Sequence, residues 1–141
     1  MAATLTTTAA LPAAYASVQP SVGPGIRTYT LVWVSHTDGV VDLDTDQAIV
    51  GELLRVVFIP SASAAPSAAY DVLLKDAHGI DVLAGQGANL SETTTTHICP
   101  GVPLKDGTTT SVRSVALAGV LNLEVSNAGS GKGGSIVLYV R

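Results

Sequence analysis

From residue 26 onward, short runs of β-branched and apolar residues alternate with turn signals, and no stretch keeps a helical period. In residues 28–34, for example, Tyr29, Leu31 and Trp33 fall on one side of an extended chain, while Thr and Val residues occupy the other. Turn-forming pairs separate such runs at Asp38-Gly39, Pro100-Gly101, Asp106-Gly107 and Ala118-Gly119. This punctuation restricts the chain to an antiparallel β fold, because parallel strands need long crossover connections.

The pattern predicts about eight strands, since each run is too short for a typical helix. They cover residues 28–34, 49–60, 70–76, 80–83, 93–99, 110–117, 120–126 and 136–141. The first half of 49–60 could also be helical, and the connection at 77–79 predicts a hairpin between its two neighbours. We therefore expect an all-β, antiparallel two-sheet sandwich of the jelly-roll type, rather than a seven-stranded immunoglobulin-like domain.

The chain of 141 residues fits one folded domain, assigned to residues 26–141, with an extended N-terminal arm at residues 1–25. The arm is rich in Ala, Thr, Ser and Pro and carries no charged side chain. It nevertheless holds spaced apolar residues, which are unusual in a solvated linker and which we predict to contact a partner. These residues are Leu5, Leu11, Tyr15, Val18 and Val22. The alternative is a disordered terminus with no role.

Charged residues make up 13% of the chain, against roughly 25% in an average protein. So few charges favour a protein that is partly covered by partners. The net charge of -4 and the scattered Lys and Arg residues speak against binding to nucleic acid or a membrane. A lone cysteine, Cys99, allows no internal disulfide and fits synthesis in the cytoplasm. No Lys or Arg precedes Arg27, so we expect no signal peptide.

Two loops resemble ligand sites but depart from the patterns that such sites require. The aspartates between Asp38 and Asp46 could bind calcium, yet Gln47 and Leu53 stand where an EF-hand needs Gly and Glu. The glycine-rich stretch 127–134 lacks the spacing and the following helix of a phosphate-binding loop. We predict a solvated acidic loop and a flexible hairpin loop, with no metal and no cofactor.

The candidates for catalysis are equally unspecific. His97 and Cys99 lie two residues apart on a predicted strand, but no activating motif accompanies them, and Cys99 is expected to be buried. Five aromatic residues could form a platform for sugars or bases, but they are more simply explained as core. They are Tyr29, Trp33, Phe58, Tyr70 and Tyr139. We therefore predict no catalytic residue, and a protein that is not an enzyme.

Three segments in the C-terminal half carry a resemblance to a known family. They are YDVLLKDAHGIDVLAGQGAN at residues 70–89, LNLEVSNAG at 121–129 and GSIVLYVR at 134–141. These strand-and-turn patterns resemble the cement or decoration proteins of tailed-bacteriophage capsids, of the jelly-roll kind found in a Bordetella phage. The resemblance implies a homodimer on the virion exterior that binds the major capsid protein and bridges neighbouring subunits of the expanded shell.

One alternative is a carbohydrate- or receptor-binding jelly-roll module of a phage tail or fibre, which would use exposed aromatic side chains and the acidic loop. A weaker one is a hydrolase, for which the sequence holds no recognisable constellation. Glycan binding and calcium-dependent melting would separate the first alternative from a capsid protein.

Overall fold

A computed structural model describes residues 14–19, 25–103 and 112–141 of the chain. These ranges contain strands, turns and bends but no helix, so the all-β prediction is confirmed. There are eleven strands: β1 (Ala14–Gln19), β2 (Arg27–Val34), β3 (Val41–Asp44), β4 (Ile49–Pro60), β5 (Asp71–Lys75), β6 (Thr96–Ile98), β7 (Val102–Pro103), β8 (Val112–Arg113), β9 (Val115–Gly119), β10 (Asn122–Ser126) and β11 (Gly133–Val140).

The strands form two main antiparallel sheets. The large sheet has the order β1-β2-β11-β4-β6. Strand β9 lies on the same edge of β4 as β6, but it pairs with the first half of β4, whereas β6 pairs with the second half. The small sheet has the order β3-β10-β5, and β7 pairs with β8. The last strand, β11, lies between β2 and β4. This position fits its sequence, because a strand with apolar residues on both sides is poorly suited to an exposed sheet edge.

The connectivity is that of a jelly roll. From β2 to β5 the chain passes to the opposite sheet at each step, and it does so again from β9 through β10 to β11. Residues 81–90 follow the free edge of β5 through two isolated bridges, Lys75 with Asp81 and Tyr70 with Leu90, where a fourth strand of the small sheet would lie. The predicted two-sheet sandwich is therefore confirmed.

The core fills the space between the sheets. Leu31 and Trp33 of β2 and Leu138 of β11 are buried, and they meet Leu123 and Val125 of β10 in one cluster. The Trp33 and Tyr70 rings lie 5.8 Å apart between centroids, a distance typical of interacting aromatic pairs. Burial raises the pKa of Tyr70 to about 12, because the apolar surroundings disfavour the phenolate.

β4 is one strand over its whole length, so the helical alternative for its first half is wrong. Leu53 pairs with Val140 and Arg55 with Tyr139, which leaves Leu54 as an extra residue in a β-bulge. This bulge separates the half of β4 that pairs with β9 from the half that pairs with β6.

Two turns replace the strand predicted at residues 80–83. The predicted connection at 77–79 is present, with Asp76 and Ile80 hydrogen bonded across it, but the return strand is limited to the bridge at Asp81. The carboxylate of Asp81 accepts hydrogen bonds from the backbone N–H groups of Leu74, Leu83 and Gly85. Because these bonds coil residues 81–85 into turns, no second strand of the hairpin forms.

The glycine-rich stretch 127–134 also differs from the prediction. It crosses from the small sheet to the large one rather than closing a hairpin within one sheet. The buried Ser35 hydroxyl donates to the Gly129 carbonyl and accepts from the Lys132 N–H. Ala128 is fully buried, and its carbonyl accepts from the Ser67 N–H. These contacts fix the segment in place, so it is not a free loop.

Candidate interaction surface

On the first half of β4, Glu52 lies on the outward side of the large sheet, because it alternates with buried Leu53. Over β2, β11, β6 and the rest of β4 this side is almost free of charge. Eleven positions there point away from the core: Thr28, Thr30, Val32, Val34, Ser135, Val137, Tyr139, Arg55, Val57, Ile59 and His97. We call these positions the outer large-sheet face. Arg55 is the one Lys, Arg, Asp or Glu residue among them. Val34 and Ile59 are exposed, and Val137 lies at the centre between Thr30 and Val57.

The outward side of the small sheet has the opposite character. Its eight positions are Asp42, Asp44, Asn122, Glu124, Ser126, Asp71, Leu73 and Lys75, and we call them the outer small-sheet face. Lys75 and Glu124 form a salt bridge of 2.8 Å between Nζ and Oε1. A groove of about 500 Å³ crosses this face between Val40 and the turns at Gly85 and Ala88. With these charged and polar side chains, this face is suited to contact with solvent.

The acidic segment predicted as a loop is mainly strand β3. Asp42 and Asp44 alternate with buried or half-buried residues, so both carboxylates lie on the outer small-sheet face. The side-chain amide of Asn122 donates to one oxygen of each, at 2.9 and 3.0 Å. Within the described part of the chain, no group of three or more His, Cys, Asp or Glu residues could hold a metal ion.

Exposed apolar residues also lie on the first half of β4, after β9 and at the turn after β5. Val50 is 56% exposed and pairs with Ala118, while Val120 and Ile80 are 45% and 60% exposed. A small cavity lined by residues 76–78, Ala116 and residues 118–121 shows that the turn after β5 lies close to the end of β9. We call Val50, Ile80, Ala118 and Val120 the end patch. It gives the molecule a second surface on which apolar side chains meet solvent.

The structure describes two of the five arm residues that were predicted to contact a partner. Tyr15 and Val18 lie in β1, where Tyr15 is opposite Val32 and Val18 is opposite Tyr29 in the register with β2. Part of the arm thus forms the edge strand of the large sheet. Leu5, Leu11 and Val22 lie outside the described residues.

The residues considered for catalysis are not brought together into a pocket. His97 lies on the outer large-sheet face opposite Val57, and Cys99 follows the end of β6. Cys99 is exposed, so the expectation that it would be buried is wrong. The residue follows a short strand at the sheet edge, where no element covers the thiol in the described part of the chain.

The aromatic residues are mainly core, as expected. Tyr29, Trp33, Phe58 and Tyr70 are all buried, so none of them offers a ring face to a sugar. Tyr139 is half-buried on the outer large-sheet face, and the Arg55 guanidinium carbon lies 5.2 Å from its ring centroid. This arrangement leaves little aromatic surface for stacking on a carbohydrate.

Two carboxyl groups outside the core have lowered pKa values. Hydrogen bonds from the Ser114 hydroxyl and the Arg141 guanidinium lower the pKa of Glu52, which lies on β4. Backbone N–H groups of Ile80 and His78 lower the pKa of Asp76, at the turn after β5. Both groups brace local structure, Glu52 through both carboxylate oxygens and Asp76 through Oδ1.

The outer large-sheet face was not identified as a site from the sequence. The available signal was the composition of the outward positions of residues 28–34 and 136–141, which hold Thr, Val and Tyr where a solvated strand usually carries charges. In comparisons with known proteins, no family model, curated protein or solved structure matches the chain.

Proposed function

We propose that the protein is a virion structural protein, a cement or decoration protein that binds the outer surface of a tailed-phage capsid and bridges neighbouring capsid subunits. The observation that carries this proposal is the outer large-sheet face, where one of eleven outward side chains is charged. The resemblance of residues 70–89, 121–129 and 134–141 to capsid cement proteins points in the same direction. Such a protein works through contact area and needs no reactive centre.

The size of the face determines how much of an interface it can supply. The outward positions span about 20 Å on β2 and about 14 Å each on β11 and β4, with His97 alone on β6, which at a strand spacing of about 4.8 Å gives about 250 Å². A stable protein interface buries about 800 Å² on each partner, so this face would supply about a third of one.

Bridging requires at least two contact surfaces on one molecule. The outer large-sheet face includes the half of β4 that pairs with β6, and the end patch includes Val50, on the half that pairs with β9. In the proposal each region contacts a different capsid subunit. Many bound copies would then stabilise the expanded shell by mass action, to the extent that they bind it more tightly than the unexpanded shell.

Co-sedimentation tests the proposal directly. Shells of the phage whose genome encodes the chain are prepared without this protein, in unexpanded and expanded forms, and mixed with the purified full chain. We expect saturable binding to expanded shells, weaker binding to unexpanded ones, and a higher temperature of shell disruption when the protein is bound. A protein that stays in the supernatant with both forms, and that binds glycans on an array instead, would show that the proposal is wrong.

A further inference from the structure

Arg55 is placed on the outer large-sheet face by the bulge in β4. Because Leu54 is the extra residue, the alternation of the strand shifts by one position, and Arg55 rather than Leu54 pairs with Tyr139. The side chain is exposed, and it is followed on the same strand by Val57 and Ile59, which share its face. The only Lys or Arg of this face therefore stands among uncharged neighbours.

The ring of Tyr139 holds the guanidinium in place. The distance of 5.2 Å from Arg55 Cζ to the ring centroid is within the range of a cation–π contact. A guanidinium stacked on an aromatic ring keeps its N–H groups free at the edge, where they can bind a carboxylate with two parallel hydrogen bonds. The stacking also reduces the side-chain entropy that is lost when such a pair forms.

Arg55 has no carboxylate partner within residues 14–19, 25–103 and 112–141. The two salt bridges there join Lys75 to Glu124 and Arg141 to Glu52. Glu52, three residues earlier on β4, is engaged by both Ser114 and Arg141. The guanidinium is thus preoriented on a nearly uncharged face and lacks an acidic counterpart there.

A charge in this position would oppose docking unless the partner neutralises it. Burying an unpaired guanidinium in a protein contact is strongly unfavourable, whereas a matched carboxylate offsets that cost and fixes the register of the two surfaces. We propose that Arg55, stacked on Tyr139, is an anchor that binds an Asp or Glu carboxylate on the protein surface covering the outer large-sheet face. This inference rests on the proposed function and names the chemical group recognised on the capsid subunit.

The anchor is tested by measuring the affinity of protein variants for expanded shells. The shells are used either untreated or after their carboxylates have been amidated with carbodiimide and methylamine. Arg55→Ala should weaken binding to native shells at least about 30-fold, as expected for truncating one partner of a buried charge pair. Arg55→Lys should lie in between, because lysine keeps the charge but not the planar fork. Lys75→Ala is the matched control: it also removes one positive charge, but from the outer small-sheet face, and should change affinity less than about twofold.

Amidation distinguishes a carboxylate partner from other contacts. Wild-type protein and Lys75→Ala should both bind amidated shells more weakly than native shells. Arg55→Ala, which already binds native shells weakly, should lose little further affinity when the shells are amidated. Circular dichroism of each variant and electron microscopy of amidated shells confirm that both components remain intact.

Each remaining outcome overturns the inference in a recognisable way. Equal binding of Arg55→Ala and wild type to native shells would eliminate the anchor but leave the proposed function standing. A loss with Arg55→Ala that amidation of the shells does not reproduce would eliminate the carboxylate. Wild-type protein that ignores shells but forms dimers that Arg55→Ala abolishes would make the occupant a second copy, and the proposed function would then fail together with the capsid anchor.

Discussion

The two sheets share one core but present opposite surfaces to their surroundings. Of the eight outward positions of the small sheet, five carry Asp, Glu or Lys: Asp42, Asp44, Asp71, Lys75 and Glu124. On the outer large-sheet face, one position in eleven does. Both sets alternate with buried residues along their strands, so the difference does not arise from the fold. We attribute it to the different surroundings of the two faces in the proposed assembly.

This asymmetry suggests an orientation. A face with closely spaced charges is costly to desolvate, whereas a face of Thr, Val and Tyr side chains loses little when covered. In a complex with a protein shell, we therefore expect the large sheet to be turned toward the shell and the small sheet toward solvent. Of the chain's 18 Asp, Glu, Lys and Arg residues, five lie on the outer small-sheet face and one on the outer large-sheet face.

The largest effect should come from placing a charge at the centre of the apolar face. Val137→Glu puts a carboxylate between Thr30 and Val57, diagonal to Arg55, where it can also take the place of the partner's carboxylate. Covering this charge and losing the anchor should together weaken shell binding at least about 100-fold. Leu73→Glu is the matched control, because Leu73 is an outward apolar residue of the small sheet. Co-sedimentation at several protein concentrations measures both variants.

Either of two results would break the comparison between the faces. Wild-type affinity for Val137→Glu would mean that the large sheet does not face the shell. A loss for Leu73→Glu as large as that for Val137→Glu would mean that both faces are covered. Thermal unfolding of each variant shows whether a loss of binding reflects a loss of folded protein.

The sequence was sufficient to predict the inner side of the sandwich. In residues 121–126 and 136–140 the apolar residues recur at every second position, and Leu121, Leu123, Ile136 and Leu138 are buried accordingly. A period of two also determines which residues share a face, so the outward set of each strand could be read from the sequence. What could not be read was how the strands are ordered, since pairing depends on contacts between distant segments.

Side-chain hydrogen bonds to the backbone explain where the prediction failed. Residues 80–83 are apolar enough for a strand, but Asp81 binds three N–H groups and coils the chain. Gly87 then approaches β5 so closely that an added Cβ would lie 2.3 Å from the Val72 carbonyl oxygen. The bulge at Leu54 similarly has no signal in the local sequence, and it determines that Arg55 rather than Leu54 joins the outer large-sheet face.

A smaller effect is expected from the salt bridge on the outer small-sheet face. The Lys75 and Glu124 side chains are each 31% exposed, so water screens their attraction. A double-mutant cycle with Lys75→Ala and Glu124→Ala, measured by urea unfolding, should give a coupling of about 0.2–1 kcal/mol that decreases with added salt. Neither variant should change shell binding by more than about twofold. A coupling of several kcal/mol would indicate that this face is less solvated than its composition suggests.

The smallest effects are expected in the stability of the fold at low pH. They allow a comparison of one carboxyl group from the large sheet, Glu52, with one beside the small sheet, Asp76. The pKa values of Asp76 and Glu52 are lower in the folded chain than their ordinary values of 3.8 and 4.5. The unfolded chain therefore binds more protons in this range, and the stability that each carboxylate contributes is present above these values and lost as the pH falls below them. Asp76→Asn keeps an oxygen to accept the His78 and Ile80 N–H groups but cannot titrate.

We therefore expect the melting temperature of Asp76→Asn to be lower than that of wild type at pH 7 and close to it at pH 3. Glu52→Gln should behave in the same way, because it loses the ion pair with Arg141. Calorimetry at both pH values measures the two differences. Because Glu52 braces the large sheet and Asp76 a turn of the small one, acid should weaken both sheets by similar, small amounts. A difference from wild type that is unchanged between pH 7 and pH 3 would mean that these carboxyl groups act through shape alone and that their charge contributes nothing.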